Sequence, residues 1–143
     1  MMKLKVQQIF EATQVLATII NQKRALPTKG VYRVTRMHAK LFPEFTLIND
    51  QRTAKIASYD HKAFALPNGT LVPAEEAAAM GLVEQNVVPP EKMGEYVEWW
   101  SEMATDEVEV NIDPIPIEQL CIDGAESNIT YAEFAVLGDL VVA

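Results

Sequence analysis

The stretch VQQIFEATQVLATIINQKRALPTKG, Val6–Gly30, decides the first half of the fold. Within it Val6, Ile9, Phe10, Thr13, Leu16, Ala17 and Ile20 recur at three- and four-residue spacing, which places them on one stripe of a helix. Gln7, Glu11, Gln14 and Asn21 fall mostly on the other side. The spacing predicts a helix over 6–22, ending near Lys23–Arg24, where cations complement the C-terminal carbonyls. Leu26-Pro27-Thr28 then interrupts the chain: Pro27 cannot continue the first helix, and Thr28 supplies a cap for a second.

From Thr28 to about Tyr59 the pattern is helical again, with Val31, Val34, Met37, His38, Leu41, Phe45, Ile48, Arg52, Lys55 and Ile56 at compatible spacings. Pro43 lies inside this run and is expected to kink or split it, because its ring removes one backbone bond and clashes with the preceding turn. Gly30 is expected to weaken the start by about 1 kcal/mol relative to Ala. Two helices joined by so short a link predict an antiparallel helical hairpin.

Past Tyr59 the character changes. Asn68-Gly69 between apolar residues of Leu66–Pro73 signals a two-residue β-hairpin turn. Pro73-Ala74-Glu75-Glu76 opens a short Ala-rich helix that stops at Gly81, and Val87–Pro90 reads as extended linker. Glu91 to about Ala104 predicts a third amphipathic helix, with Met93, Tyr96, Val97, Trp100 and Met103 on one side. Asp106–Ile112 alternates acidic and apolar residues as a strand does, with Val108, Val110 and Ile112 on one face. Ile117–Cys121 reads as a short helical turn, Asp123-Gly124 as a turn, and Thr130–Leu140 as a last helix capped by Asn128 or Thr130. The fold class is therefore α+β: an N-terminal antiparallel helical hairpin, then a mixed half with a β-hairpin, helices and a short strand. Its 143 residues predict a single domain, with a basic helical hairpin over 1–62 and an acidic α/β half over 63–143.

That division is one of charge. Residues 1–62 hold eleven of the twelve Lys and Arg against four acids, and residues 63–143 hold Lys92 alone against sixteen acids. A bipolar chain either folds one half onto the other or offers each half to a partner of opposite sign. The overall −8 charge and pI near 4.7 argue against direct, sequence-independent nucleic-acid binding. Near-average hydrophobic and charged content excludes extensive disorder, and no apolar run approaches the ~20 residues of a membrane span. Cys121 is the only cysteine, so no internal disulfide forms, and with no signal-like N-terminus the chain is expected in the cytoplasm of a cell or, if phage-encoded, of its host or in the virion.

Catalytic chemistry finds no motif. His38 and His61 are the only histidines, so no H-E-x-x-H or paired-histidine spacing exists, and there is no C-x-x-C, no glycine-rich phosphate loop and no D-x-D-x-D-G order. Glu75-Glu76 and Asp106-Glu107 are adjacent, and adjacent side chains point different ways. His61 reads as an exposed loop histidine and Cys121 as a small buried apolar residue. The expectation is a non-enzyme without cofactor or metal.

Two charge stripes stand out instead. Lys29, Arg33, Arg36 and Lys40 step by four, three and four along the second helix, a ridge for phosphates or an acidic protein surface, or else a solvated face met by the chain's own acids. Glu91, Glu95, Glu98 and Glu102 step by the same intervals on the third helix. Such stripes meet within one chain, or between copies in head-to-tail assembly, or the acidic one imitates DNA to a basic partner. Trp99 and Trp100 point about 100° apart, so if Trp100 packs with Met93, Tyr96 and Met103, Trp99 lies toward the edge as a contact candidate. The alternative is that both pack in the core against different neighbours. No aromatic residues interleave the cations in the manner of a single-strand platform, which lowers the nucleic-acid option further.

The order of pieces resembles a family of small phage-encoded proteins of uncharacterised function found among the structural and late genes of tailed phages. The residues that carry the likeness are the helix Gln7–Lys23, the junction Leu26-Pro27-Thr28-Lys29, Asp50-Gln51-Arg52 through Tyr59, Trp99–Met103 followed by Glu107-Val108-Glu109-Val110, and Pro116–Leu120. Pro43 and the Ala-rich residues 74–80 depart from that pattern. The resemblance implies a structural or assembly protein acting through contact with a protein partner or with itself as a homo-oligomer. The alternative is an acidic inhibitor or DNA mimic that blocks a basic host protein such as a defence nuclease.

Overall fold

The computed structural model describes residues 2–67, 70–121 and 128–143. In chain order the elements are β1 (Met2–Lys5), α1 (Val6–Asn21), α2 (Thr28–Ala57), β2 (Lys62–Ala65), β3 (Leu71–Val72), α3 (Ala74–Met80), β4 (Gln85–Asn86), α4 (Met93–Ala104), β5 (Glu107–Val110), β6 (Ile115–Pro116), α5 (Tyr131–Leu137) and β7 (Val141–Val142). Short 3₁₀ turns cover Pro90–Lys92, Ile117–Leu120 and Gly138–Leu140. The α+β class and the N-terminal helical hairpin are as the sequence predicts. No described helix is long and apolar enough to cross a membrane. The chain packs as two units, Met1–Asn49 with Met103–Ala143, and Asp50–Glu102. Their boundaries fall inside α2 and α4, not at the change of charge near residue 62.

The first unit closes on a strand that the sequence reading did not foresee. β1 pairs antiparallel with β5 across more than a hundred residues of chain, in the register Met2↔Val110, Lys3↔Glu109, Leu4↔Val108, Lys5↔Glu107. Leu4 and Val110 turn inward and are buried, while both opposite-charge pairs stand on the exposed face. The chain then passes straight from β1 into α1, and the amide of Val6 donates to the carbonyl of Asp106 at 2.9 Å.

Helix α1 buries Val6, Ile9, Ala12, Thr13, Leu16 and Ile19, so its inner face is turned slightly from the expected stripe: Phe10, Ala17 and Ile20 lie half-buried at its edge. Thr13 is satisfied inside the core by donating its hydroxyl to the Ile9 carbonyl, 2.6 Å. Lys23 ends the helix in the left-handed region, φ 50°, a place glycine usually takes. Phe10 then stacks on Phe45 of α2, ring centroids 5.2 Å apart, which fixes the hairpin.

Helix α2 runs unbroken through Pro43, contrary to the expected split. Pro43 and Ala39, whose carbonyl loses its helical partner, are both exposed, so the missing bond falls on the solvent side of the helix. Thr28 is the first helical residue and not a cap; the Val31 amide donates to the Pro27 carbonyl, 3.0 Å. Gly30 also reverses its expected role. It is buried, and a Cβ there would lie 1.8 Å from the carbonyl oxygen of Gln119. The first turn of α2 rests directly on the 3₁₀ turn Ile117–Leu120, and only glycine permits that approach.

At the far end of the unit, Thr130 and Glu133 form a reciprocal capping box on α5. Glu133 also takes a hydrogen-bonded ion pair from Arg24, which in turn donates to the Asn128 carbonyl at 3.1 Å. β7 then pairs in parallel with β6, Ile115↔Val141 and Pro116↔Val142, two short strands that the sequence pattern does not predict. Leu120, Ile129, Leu137 and Leu140 join Val34, Met37, Leu41 and Ile48 in burial. Cys121 is half-buried, more open than expected.

The second unit carries a lighter core, with Ala65, Ala77 and Pro89 its buried apolar residues among the described ones. β2 and β3 form the expected hairpin, Phe64↔Val72 and Ala65↔Leu71, with Asn68 and Gly69 of its turn outside the described residues, as is the turn expected at Asp123-Gly124. Polar β4, not foreseen, pairs with β2 (Lys62↔Asn86) to complete a three-stranded sheet. Gly81 ends α3 at φ 70°. On α4 the inner residues are Tyr96, Trp99, Trp100 and Met103, whereas Met93 and Val97, expected inside, are exposed.

Gly30→Ala should destabilise the protein by about 1–3 kcal/mol, the reverse of what helix propensity predicts, because the new methyl meets backbone. Chemical denaturation checks this, and a variant as stable as wild type would remove the close contact from the account. The Arg24 hydrogen bond beside Glu133 holds its carboxyl below the ordinary value of 4.5 against an opposing effect of burial. A carboxyl lowered by folding contributes its stability above its unfolded value and loses it as pH falls through the folded one. Glu133→Gln, which keeps the capping geometry, should therefore cost most near neutral pH and progressively less below about 4.5. Urea denaturation across that range would show a constant difference if the ion pair contributed nothing.

Candidate functional site

The basic stripe predicted from spacing lines a groove. Lys29, Arg33, Arg36 and Lys40 form one wall of a cleft of about 700 Å³ in the first unit, together with Tyr32 of the same helix face. The opposite wall is the segment that follows β5, with Asn111, Asp113 and Gln119. Buried Met37, Ile112 and Ile115 supply apolar surface at its base.

Three local facts hold the walls in place. The Gly30–Gln119 approach seats the first turn of α2 at one end of the cleft. The ammonium of Lys40 donates to the Asn111 carbonyl at 3.0 Å toward the other. The β1–β5 ladder fixes where Asn111 leaves the sheet, and the Ile112 amide donates to the Val110 carbonyl at 3.0 Å. Along the wall, a guanidinium nitrogen of Arg36 donates to the Tyr32 hydroxyl, 3.2 Å, which aligns that side chain one turn from its neighbour.

Electrostatically the groove is unbalanced. Among the described residues of the first unit, no carboxylate comes within 4.0 Å of any of the four cations, although Asp113 lies across the cleft. Lys29 with Arg33, and Arg36 with Lys40, are like charges at four-residue spacing, each pair costing about 0.2–0.5 kcal/mol. Gln119 adds a buried side-chain oxygen with no hydrogen-bond partner among the described residues.

The acidic stripe lies in the second unit. Glu91 belongs to the 3₁₀ turn Pro90–Lys92, and Glu95, Glu98 and Glu102 to α4; all four are exposed. Glu95 stands 3.7 Å from both Lys55 and Lys92. Lys55, which the sequence reading placed on an apolar stripe, also sits over the rings of Tyr59 and Trp99, 5.4 and 5.9 Å from their centroids. Trp99 is half-buried between Tyr96 (5.8 Å) and Trp100 (6.3 Å), so it is part of an aromatic cluster and presents less free surface than an edge position implies. Arg52 donates to the Tyr96 hydroxyl, 2.9 Å, and joins this cluster.

Elsewhere, partial burial lowers the pKa of His38, whose ring lies 5.5 Å from that of Phe42. His61 is exposed, as expected. Among the described residues no three His, Cys, Asp or Glu side chains gather as a metal site. Sequence reasoning thus found the four cations but missed Tyr32, Asn111, Asp113 and Gln119. Tyr32 was open to notice, since it sits between Lys29 and Arg33 in the chain and interrupts the claim that no aromatic interleaves the cations. The other three come from a segment 70 or more residues distant, and only the tertiary contact brings them in.

Arg33→Gln should leave folding stability unchanged or raise it by about 0.2–0.5 kcal/mol, because it relieves repulsion and breaks no ion pair among the described residues of the unit. A loss above about 1 kcal/mol in denaturation would make Arg33 a structural residue. Comparison with known proteins finds no matching family model, no matching curated protein and no matching solved structure.

Proposed function

We propose that the protein is a non-enzymatic assembly protein that acts through charge-driven protein–protein contact, as the resemblance to late-gene proteins of tailed phages implies. The observation that carries this reading is the groove: four cations on one wall, with no ion pair among the described residues of their unit, above an apolar base. That combination suits an acidic protein segment, whose carboxylates meet the cations while its apolar side chains cover Met37, Ile112 and Ile115. A long nucleic acid fits less well, because the first unit as a whole carries more acids than bases and Asp113 faces the same cleft. The partner is an acidic protein, either another molecule or a copy of this chain, and neither membrane nor cofactor enters. The alternative of a DNA mimic is less favoured: Glu107 and Glu109 stand opposite Lys5 and Lys3, which removes them from a continuous acidic face.

The test is titration of a fluorescent, Glu-rich helical peptide into wild-type protein and into Arg33→Glu/Arg36→Glu. Wild type should bind, binding should weaken as salt rises, and the charge-reversed protein should lose it by about tenfold or more. Absence of binding at low salt, or equal binding by the variant, would refute the reading.

A further inference from the structure

The cations of the groove and the acids of the second unit share one spacing. Lys29, Arg33, Arg36 and Lys40 repeat at four, three and four residues; Glu91, Glu95, Glu98 and Glu102 repeat at the same intervals with the opposite sign. On a helix such a series holds one line over about 16 Å. Each line lies away from the inner side of its own helix: buried Val34, Met37 and Leu41 on α2, and half-buried Tyr96, Trp100 and Met103 on α4. The acids are exposed as a set, and the groove already provides the apolar base and the facing wall that a docked helix needs.

We infer that the segment Pro90–Ala104 of a second copy occupies the groove, its acidic stripe against Lys29, Arg33, Arg36 and Lys40. The inference rests on the proposed charge-driven contact and names its partner. Charge complementarity within one sequence favours a second copy: the groove's four cations and the exposed acids that complement their sign and match their length belong to the same chain and are always present together. The contact is heterologous, since groove and stripe are different surfaces. Two copies that exchange it reciprocally form a closed dimer, and copies that pass it onward form an open chain. Glu95 is shared with Lys55 and Lys92, so Glu91 and Glu98 are the cleaner acids to vary.

The experiment is a charge exchange in the full chain, read by light scattering and sedimentation. Wild type should self-associate at low salt and dissociate as salt rises. Arg33→Glu/Arg36→Glu alone and Glu91→Lys/Glu98→Lys alone should each associate about a hundredfold more weakly, since every self-contact then sets like charges together. An equimolar mixture should recover association to within about tenfold of wild type, because each groove meets a stripe of opposite sign. Circular dichroism of each variant verifies folding, and recovery in the mixture itself excludes a folding defect. A wild type that remains monomeric at low salt, or a mixture that stays dissociated, overturns the inference. If the Glu-rich peptide still binds the groove in that case, charge-driven contact stands and the partner is another protein; if it does not, both fall.

Discussion

Pairing of the first strand with the fifth is the contact on which the rest of the first unit depends. Met2–Lys5 and Glu107–Val110 are individually too short to be stable, and each is charged at every second position. Together they alternate cation against acid outside and Leu4 and Val110 inside. Cross-strand pairs of this kind contribute about 0.2–1 kcal/mol each, so they select register more than they supply stability. The register has consequences downstream. It fixes where the chain leaves β5, and so carries Asn111–Gln119 to the first turn of α2, where Gly30 admits it. The groove is the gap that remains beside that contact.

Folding also redistributes the charge. In sequence the chain is basic, then acidic, with the change near residue 62. In the structure the first unit combines eight cations with eleven acids, and the second combines four with nine. Much of the bipolar pattern is therefore spent within the first unit: Lys3 and Lys5 opposite β5, Arg24 on Glu133, Lys40 on a backbone carbonyl. Among the described residues of that unit, the line from Lys29 to Arg36 has no carboxylate within ion-pair distance, and it lies beside the cleft.

The helices were legible because each carries its own apolar period. The burial of Val6, Ile9, Leu16, Val34, Met37, Leu41 and Ile48 follows from local spacing. The details that failed share another origin. Pro43 does not split α2, because its cost falls on an exposed stretch while the helix is held along its buried side. The inner face of α4 turns from Met93 and Val97 toward Trp99, because large aromatic rings and the stem of Lys55 gain more from contact than smaller side chains do. β1, β4, β6 and β7 are too short to show a period, and each exists only through its partner.

Sequence by itself determined the helical hairpin, the capped last helix, the hairpin near residue 68 and the spacing of both charge stripes. These are properties of neighbouring residues, and a helix or turn forms from contacts within a few positions. Tertiary structure alone decided that α2 stays whole, that Gly30 is required by close approach, and that Asn111, Asp113 and Gln119 face the basic stripe. The reason is the same throughout. Those features depend on strand register and backbone approach between segments 70 to more than 100 residues apart, which no local pattern encodes.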